Sequence, residues 1–151
     1  MSGMRVLHFI PSLEAVGGSA ALGYMPALLE AMARRAYVRV LALCGGRASM
    51  AGVDVHVSPA AALPWRLRRF FSNELAAFAP DVVHVHACWS LAAYVLSREC
   101  ARRGIPVVIS PGRRLEEWHV RRRYWLAGLP RLLLYQRRML RRAGALHFVS
   151  A

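Results

Sequence analysis

The sequence predicts one α/β domain in which helices cover both faces of a doubly wound parallel sheet. Short, β-rich apolar runs alternate with helical segments along the 151 residues, and turn signals separate them. The chain is 56% hydrophobic, which provides enough apolar surface for one sizeable core. No internal repeat or low-complexity segment interrupts the alternation. These three observations favour a single domain over residues 1–151.

The first half of the chain is expected to contain three strands and one helix. Arg5–Ile10 and Tyr37–Leu43 are apolar runs rich in strand-forming residues, and Val53–Val57 is predicted to be a short third strand. Between the first two runs, apolar residues at helical spacing predict a helix over Ala20–Arg35. The Gly17-Gly18 pair lies in the loop before that helix.

The second half continues the alternation of helices and strands. Trp65–Phe78 is amphipathic, and Pro64 suits the first turn of that helix. Asp81–Val85 then predicts a strand, and Ser90–Arg103 predicts a helix. Gly104 follows that helix at the position where a left-handed residue commonly ends one.

The last third predicts a strand, a basic helix and a final strand. These elements are expected over Val107–Ser110, Pro130–Ala143 and Ala145–Val149. A doubly wound domain commonly closes with a helix or continues into a second domain. We therefore expect the chain to be the first half of a larger assembly.

Charge favours anionic partners. The formal net charge is +13, and all 21 basic residues are arginine, which binds phosphates and carboxylates through two parallel hydrogen bonds. Lipid headgroups, sugar nucleotides and nucleic acid all remain open on this observation.

The three cysteines are odd in number and form no CxxC pair, which favours a reducing compartment. No signal peptide and no apolar run of membrane-spanning length is recognised, so a cytoplasmic location is expected.

Chemistry-bearing residues concentrate between Pro80 and Ser90, where a buried strand ends just before a helix. Open α/β sheets place their ligand crevice at such strand ends. His86 is the better functional candidate because it lies nearer the crevice than His84 does. If the strand continued through Cys88, both histidines and the thiol would share one face and suit zinc, as in a metal-dependent hydrolase. No acidic residue stands close by, so we expect no metal.

Two further loops open on the same edge of the predicted sheet. The Gly17-Gly18 turn allows a phosphate to approach the backbone at a helix N-terminus, and a turn without any ligand is the alternative. It lacks the full dinucleotide fingerprint, so no NAD cofactor is expected. Ser110 and Arg113 belong to the second loop, where arginine suits a phosphate or a carboxylate and a solvated charged loop is the alternative.

Basic residues interleaved with aromatic ones suggest an anionic membrane surface as a partner. Nucleic acid is the competing interpretation, but no nucleic-acid-binding motif accompanies the arginines, and a plain solvated helix face is the simplest alternative. The arginines assigned to this surface are Arg66, Arg68, Arg69, Arg121, Arg122 and Arg123.

Six stretches of the chain occur in a recognisable order. They are Met4–Ile10, Val16–Gly18, Leu28–Arg35, Pro80–Ser90, Gly104–Pro111 and Arg142–Ser150. In this order they resemble the N-terminal, Rossmann-like domain of GT-B glycosyltransferases, specifically the retaining group 1, family 4-like enzymes. The Pro-Asp-Val-Val-His-Val-His run at 80–86 resembles that family's strand and turn.

The resemblance implies one half of a two-domain enzyme that needs no metal. The N-terminal half would hold a lipid-linked or polysaccharide acceptor, and a C-terminal half, absent from residues 1–151, would hold most of the nucleotide-sugar. Gly17 and Gly18 would approach the donor phosphate, and His86 and Trp89 would line the acceptor side. The loop from Ser110 to Arg114 would lie near the reacting sugar.

The resemblance is incomplete where Gly112-Arg113 replaces the family's usual His-Gly pair. Without a donor-binding domain, we expect no transfer by this chain alone. It would be a fragment, a truncated product or one subunit of a split enzyme. A non-catalytic partner-binding protein and the hydrolase built on His84, His86 and Cys88 remain the alternatives.

Overall fold

Six parallel strands form one sheet in the computed structural model, which describes residues 3–13, 23–45, 49–58, 63–87, 90–111 and 135–148. The spatial order of the strands is β3-β2-β1-β4-β5-β6. The strands are β1 (Arg5–Ser12), β2 (Tyr37–Cys44), β3 (Val53–Val57), β4 (Val82–Val85), β5 (Val107–Ile109) and β6 (Ala145–Leu146). The described helices are α1 (Met25–Ala33), α2 (Pro64–Phe78), α3 (Leu91–Arg102) and α4 (Arg137–Arg142).

The strand order changes direction between β1 and β4. The chain adds β2 and β3 on one side of β1, and then returns to add β4, β5 and β6 on the other side. In an open parallel sheet this reversal leaves a crevice at the carboxyl ends of the two central strands. The doubly wound α/β fold expected from the sequence is confirmed.

Alternation along β1 divides the core between the two faces of the sheet. Ile10 faces the side covered by α1, called the first face, where it packs near Met25 and Leu29. Leu7 and Phe9 face the opposite side, called the second face, which α2, α3 and α4 cover. Buried side chains from these three helices complete the larger cluster: Leu67, Phe71, Leu75, Phe78, Leu96, Cys100 and Met139.

Two helix starts show how proline sets a boundary. The helix expected from Ala20 begins at Met25 in the described residues, because Tyr24 is its N-cap and Pro26 occupies its first turn. Proline has no N–H to donate to a preceding turn, so it belongs at a helix start. Pro64 opens α2 for the same reason, one residue before the expected start.

The ends of α3 agree closely with the sequence. The Ser90 hydroxyl accepts a hydrogen bond from the Ala93 N–H at 3.4 Å, which caps the first turn. Gly104 has a positive φ of 68°, and the Ile105 N–H donates to the Cys100 carbonyl at 3.0 Å. This pattern is a Schellman ending, so the expected role of Gly104 is confirmed.

Of the six described strands, β3 alone has its expected bounds, and the five others differ in length. β1 and β2 are longer than expected and end at Ser12 and Cys44. β4 begins at Val82, because the Asp81 carboxylate turns back to accept the Arg5 N–H at 2.7 Å. β5 ends at Ile109, before Ser110 and a proline that cannot donate to a ladder. β6 ends at Leu146, where β5 offers no further residue to pair with.

No helix in the described part of the chain is both long enough and apolar enough to cross a bilayer.

Candidate functional site

Three histidine rings lie together where the strand order reverses. His8 of β1 stands beside His84 of β4 in the parallel register, and His86 follows at the carboxyl end of β4. The ring centroids of His84 and His86 are 4.0 Å apart, and those of His8 and His86 are 5.3 Å apart. The period of two residues along a strand puts all three rings on the first face.

His8 and His86 form a hydrogen-bonded pair that is buried from solvent. The Nδ1 atom of His8 lies 3.0 Å from Nε2 of His86, and the two rings are within 12° of parallel. The His86 backbone is fixed as well, because its N–H donates to the Phe9 carbonyl at 2.9 Å. The pair is therefore positioned by the two central strands.

This pair leaves two nitrogens without a partner among the described residues, Nε2 of His8 and Nδ1 of His86. A neutral imidazole carries one proton, so only one ring donates in the shared hydrogen bond. Whichever ring donates, one of the free nitrogens is an N–H and the other is a lone pair. Buried polar atoms are normally hydrogen-bonded, so one of these nitrogens requires an acceptor and the other requires a donor.

A second set of hydrogen bonds connects His84 to the end of β5. The Nε2 atom of His84 lies 2.7 Å from the Ser110 hydroxyl, which lies 2.9 Å from Nδ1 of His147. A hydroxyl donates one hydrogen bond and accepts others, so Ser110 can serve both rings at once. Together, His8, His84, His86, Ser110 and His147 are called the histidine cluster below.

The three central imidazoles are held neutral. Burial, together with a smaller contribution from the nearby His84, lowers the pKa of His8 to about 3. Burial also lowers the pKa of His84 to about 4 and that of His86 to about 2, and neighbouring histidines add to both effects. At neutral pH the cluster thus offers hydrogen-bond donors and acceptors without positive charge.

The three central rings also come close enough to be considered as metal ligands. Their candidate ligand nitrogens lie within 4.8 Å of one another. However, His84 lies over the face of His86, with centroids 4.0 Å apart, whereas imidazole binds a metal through a lone pair in the ring plane. The His84 Nε2 atom is also occupied by Ser110. Ligation through Nε2 of His84 would require the ring to rotate and break that contact.

An open groove reaches the histidine cluster along the first face. Its volume is about 710 Å³, and it extends beside α1 over β1, β4 and β5. Apolar side chains form most of the described lining, and His84 is the member shared with the cluster. The lining also includes Met32, Val82 and Val108.

The predicted site residues divide into two groups. The structure brings His86 and Ser110 into one cluster, whereas Gly17, Gly18, Trp89 and Arg113 lie outside the described residues. Cys88 of the alternative metal site also lies outside them.

The sequence reasoning assigned no role to His8 or His147. The alternation of side chains along one strand predicts only that His84 and His86 share a face. The useful signal for His8 was that β1 and β4 are neighbours at the switch point of a doubly wound sheet.

The arginines expected on a membrane surface differ in their surroundings. Arg68 of α2 pairs with the buried Glu99 carboxylate at 3.0 Å, and Arg102 shares the same oxygen at 3.1 Å. Arg66 and Arg69 are exposed and have no ion pair within the described ranges. Arg121, Arg122 and Arg123 lie outside those ranges.

Comparison with known proteins places the chain in a family. The model of the glycosyl transferase 4-like domain matches residues 21–151. No curated protein sequence matches significantly. Among solved structures, a Listeria monocytogenes protein assigned as a UDP-N-acetylglucosamine 2-epimerase has a TM-score of 0.64 at 12% identity, covering 97% of this chain and 39% of its own. MurG of Acinetobacter baumannii has a TM-score of 0.53 at 13% identity, covering 97% of this chain and 41% of its own.

These two likenesses concern the fold, and the chain spans about two-fifths of the length of either structure. The family match covers most of the chain. The chain therefore belongs to the glycosyl transferase 4-like domain family and has the Rossmann-like N-terminal fold of the GT-B enzymes.

Proposed function

We propose that this domain binds the acceptor in the transfer of a sugar from a nucleotide-sugar to a lipid-linked or polysaccharide acceptor. The observation that carries the proposal is the histidine cluster at the switch point of a glycosyl transferase 4-like domain. A sugar offers hydroxyl groups, and a hydroxyl can either donate to or accept from an unpartnered nitrogen of the cluster.

His86 is the proposed contact with the acceptor. It is the central histidine closest to the carboxyl edge of the sheet, and its Nδ1 has no described partner. His8 acts as a positioning residue, because its Nδ1 atom contacts Nε2 of His86 at 3.0 Å and fixes the orientation of that ring. Trp89 is proposed to line the same side, as the family resemblance implies.

A lipid-linked acceptor is favoured by the open groove on the first face. The groove joins His84 to apolar side chains near the amino ends of β1 and β4, with Arg34 and Arg35 at the end of α1, so a prenyl chain would lie against Met32 and Val108. Burial of apolar surface along such a groove adds to the hydrogen bonds that the cluster provides.

Donor binding is proposed to need a second domain across the cleft, whether on the same polypeptide or on another. Gly17 and Gly18 would approach the donor phosphate, while Ser110 and Arg113 would lie near the reacting sugar. The nucleotide-sugar is a co-substrate here, and no metal or other cofactor is proposed. Fully transferring a sugar therefore requires that second domain.

We also propose that α2 lies on an anionic membrane surface at the cytoplasmic side. Trp65 is 65% exposed at the start of this helix, next to Arg66 and Arg69. An exposed tryptophan beside free arginines suits the boundary between headgroups and acyl chains. Arg68 contributes less to this surface because Glu99 already engages it.

Acceptor binding can be measured directly by saturation-transfer NMR on the chain. The probes are a panel of mono- and disaccharides, a water-soluble prenyl-diphosphate-linked sugar, UDP-glucose and GDP-mannose. We expect at least one sugar acceptor to bind, and the two nucleotide-sugars to bind more weakly than it does. His86→Asn should weaken acceptor binding about tenfold, since one buried hydrogen bond is lost.

The matched control is His56→Asn, which removes an imidazole from β3 at the other side of the sheet. Equal acceptor binding by wild type and His86→Asn would contradict the proposed contact. Binding of nucleotide-sugars alone would assign the domain to the donor side instead. Absence of any sugar binding, together with capture of a separate donor-domain chain, would favour the partner-binding alternative.

Membrane association is tested separately by co-sedimentation with vesicles. We expect stronger binding to phosphatidylglycerol-containing vesicles than to pure phosphatidylcholine, and Trp65→Ala together with Arg66→Gln should reduce it. Equal weak binding to both vesicle types would contradict the membrane part and leave the acceptor proposal standing.

A further inference from the structure

A small cavity lies between α3 and α4, far from the histidine cluster in the fold. It opens on the second face beside the amino end of β5, whereas the cluster occupies the first face at the carboxyl ends of the strands. Its volume is about 110 Å³. Sites for whole drug-sized ligands commonly exceed about 300 Å³, so a cavity of this size suits one compact group.

Three arginines line this cavity. Arg138 and Arg142 are four residues apart on α4, so they project from one side of that helix, and Arg98 comes from α3. Within the described residues none of the three has an acidic partner. By contrast, nearby Arg102 pairs with Glu99. All three arginines are exposed, and guanidinium groups that line one cavity without a described counter-charge favour an anion there.

The rest of the lining decides which anion fits. Ile105, Pro106 and the buried Met139 give the cavity an apolar base, and Tyr94 lies at its side. A phosphate group has the oxygen geometry that guanidinium groups bind through paired hydrogen bonds. The apolar base additionally accommodates the first carbons of an ester attached to that phosphate. A whole nucleotide is too large for the cavity.

We propose that Arg98, Arg138 and Arg142 form a binding site for a phosphate group, separate from the acceptor site. The phosphate comes either from free inorganic phosphate or from a lipid headgroup. The site does not depend on the glycosyl-transfer proposal, because it shares no residue with the histidine cluster or with the arginines of α2.

The test compares two double variants of the chain that remove equal charge from one helix. Arg138→Gln with Arg142→Gln alters the cavity, whereas Arg137→Gln with Arg141→Gln removes two exposed arginines of α4 that do not line it. Circular dichroism checks that both variants fold. One arm measures inorganic phosphate binding by ³¹P NMR line broadening. The other arm measures co-sedimentation with phosphatidylcholine vesicles containing phosphatidic acid or phosphatidylglycerol.

We expect saturable phosphate binding that the cavity variant weakens at least about tenfold, with less than about a twofold effect of the control, since charge-assisted hydrogen bonds are lost only in the first. If lipid is the source, binding is saturable with phosphatidic acid vesicles and shows the same dependence on the cavity pair. The proposal would be overturned if the two double variants had equal effects in both the phosphate and the vesicle experiments. It would also be overturned if neither experiment showed saturable binding.

Discussion

The Nδ1 atom of His8 and the Nε2 atom of His86 lie 3.0 Å apart across the boundary between β1 and β4. His8 is fully buried, and the His86 N–H is bound to the Phe9 carbonyl. The geometry of the pair therefore follows from the parallel register of the two strands. A ligand that contacts His86 meets a ring already held in place, which lowers the entropy lost on binding.

Stability is expected to fall as the pH drops below about 6.5, the ordinary pKa of histidine in an unfolded chain. The folded pKa values of His8, His84 and His86 are about 3, 4 and 2, so the folded chain resists protonation. Between about pH 6.5 and 4 the unfolded state binds more protons, up to three from these residues, and stability rises with pH. The contribution is complete above about pH 6.5 and is lost as the pH falls toward the folded values.

Urea unfolding at a series of pH values measures this effect as the slope of the unfolding free energy against pH. His8→Leu should reduce the slope by about one proton, because one buried imidazole is removed. The control His56→Asn should leave the slope from the three central histidines in place. A flat profile between about pH 6.5 and 4 for the wild-type chain would contradict neutral, buried rings.

The sequence was sufficient to predict all six described strands. Val53–Val57 is observed with the expected bounds, since valine alternates with polar residues there, as in a strand with one buried face. His84 and His86 share a face because strand side chains alternate, which is a local property of one strand.

Contacts between strands were harder to foresee. His8 contacts His86 from a distance of 78 residues in sequence, and Ser110 bridges His84 to His147 across three strands. Those contacts depend on strand order and register, which local periodicity does not contain. Gly23 and Tyr24 were expected in a helix but precede α1, because Pro26 sets its first turn, and the expected start at Ala20 lies outside the described residues.

Asp81 is expected to stabilise the domain by fixing the start of β1. Its carboxylate accepts the Arg5 N–H at 2.7 Å, and its own N–H donates to the Arg5 carbonyl at 2.9 Å. Asp81→Ala removes the first of these bonds and should lower the free energy of unfolding by about 1 kcal/mol. Asp81→Asn retains an acceptor oxygen and should cost less. An alanine variant with an unchanged urea midpoint would show that water replaces the carboxylate without loss.

Two glycines with positive φ should respond differently to alanine. Gly104 has a φ of 68° and open space where an alanine methyl would lie, so Gly104→Ala should cost about 1 kcal/mol from backbone strain alone. Gly45 has a φ of 116°, and a Cβ there would lie 2.7 Å from the Leu13 Cβ. Gly45→Ala should therefore cost at least about 2 kcal/mol, because β1 and β2 must also separate. Thermal unfolding of the two variants compares them directly, and equal losses would contradict the steric argument.

The chain is expected to purify without a stoichiometric metal ion. Zinc needs lone pairs that converge in the ring planes, whereas His84 lies over the face of His86 and its Nε2 contacts Ser110 at 2.7 Å. Metal analysis of protein prepared without chelator should find less than about one ion in ten chains, and added Co²⁺ should give no tetrahedral absorption bands. Ser110→Ala removes the hydroxyl that contacts Nε2 of His84. We therefore expect this variant to bind Co²⁺ weakly, and more strongly than the wild-type chain does. One equivalent of tightly bound zinc in the wild-type chain, lost in His84→Asn but retained in His56→Asn, would instead make the three central rings a metal centre.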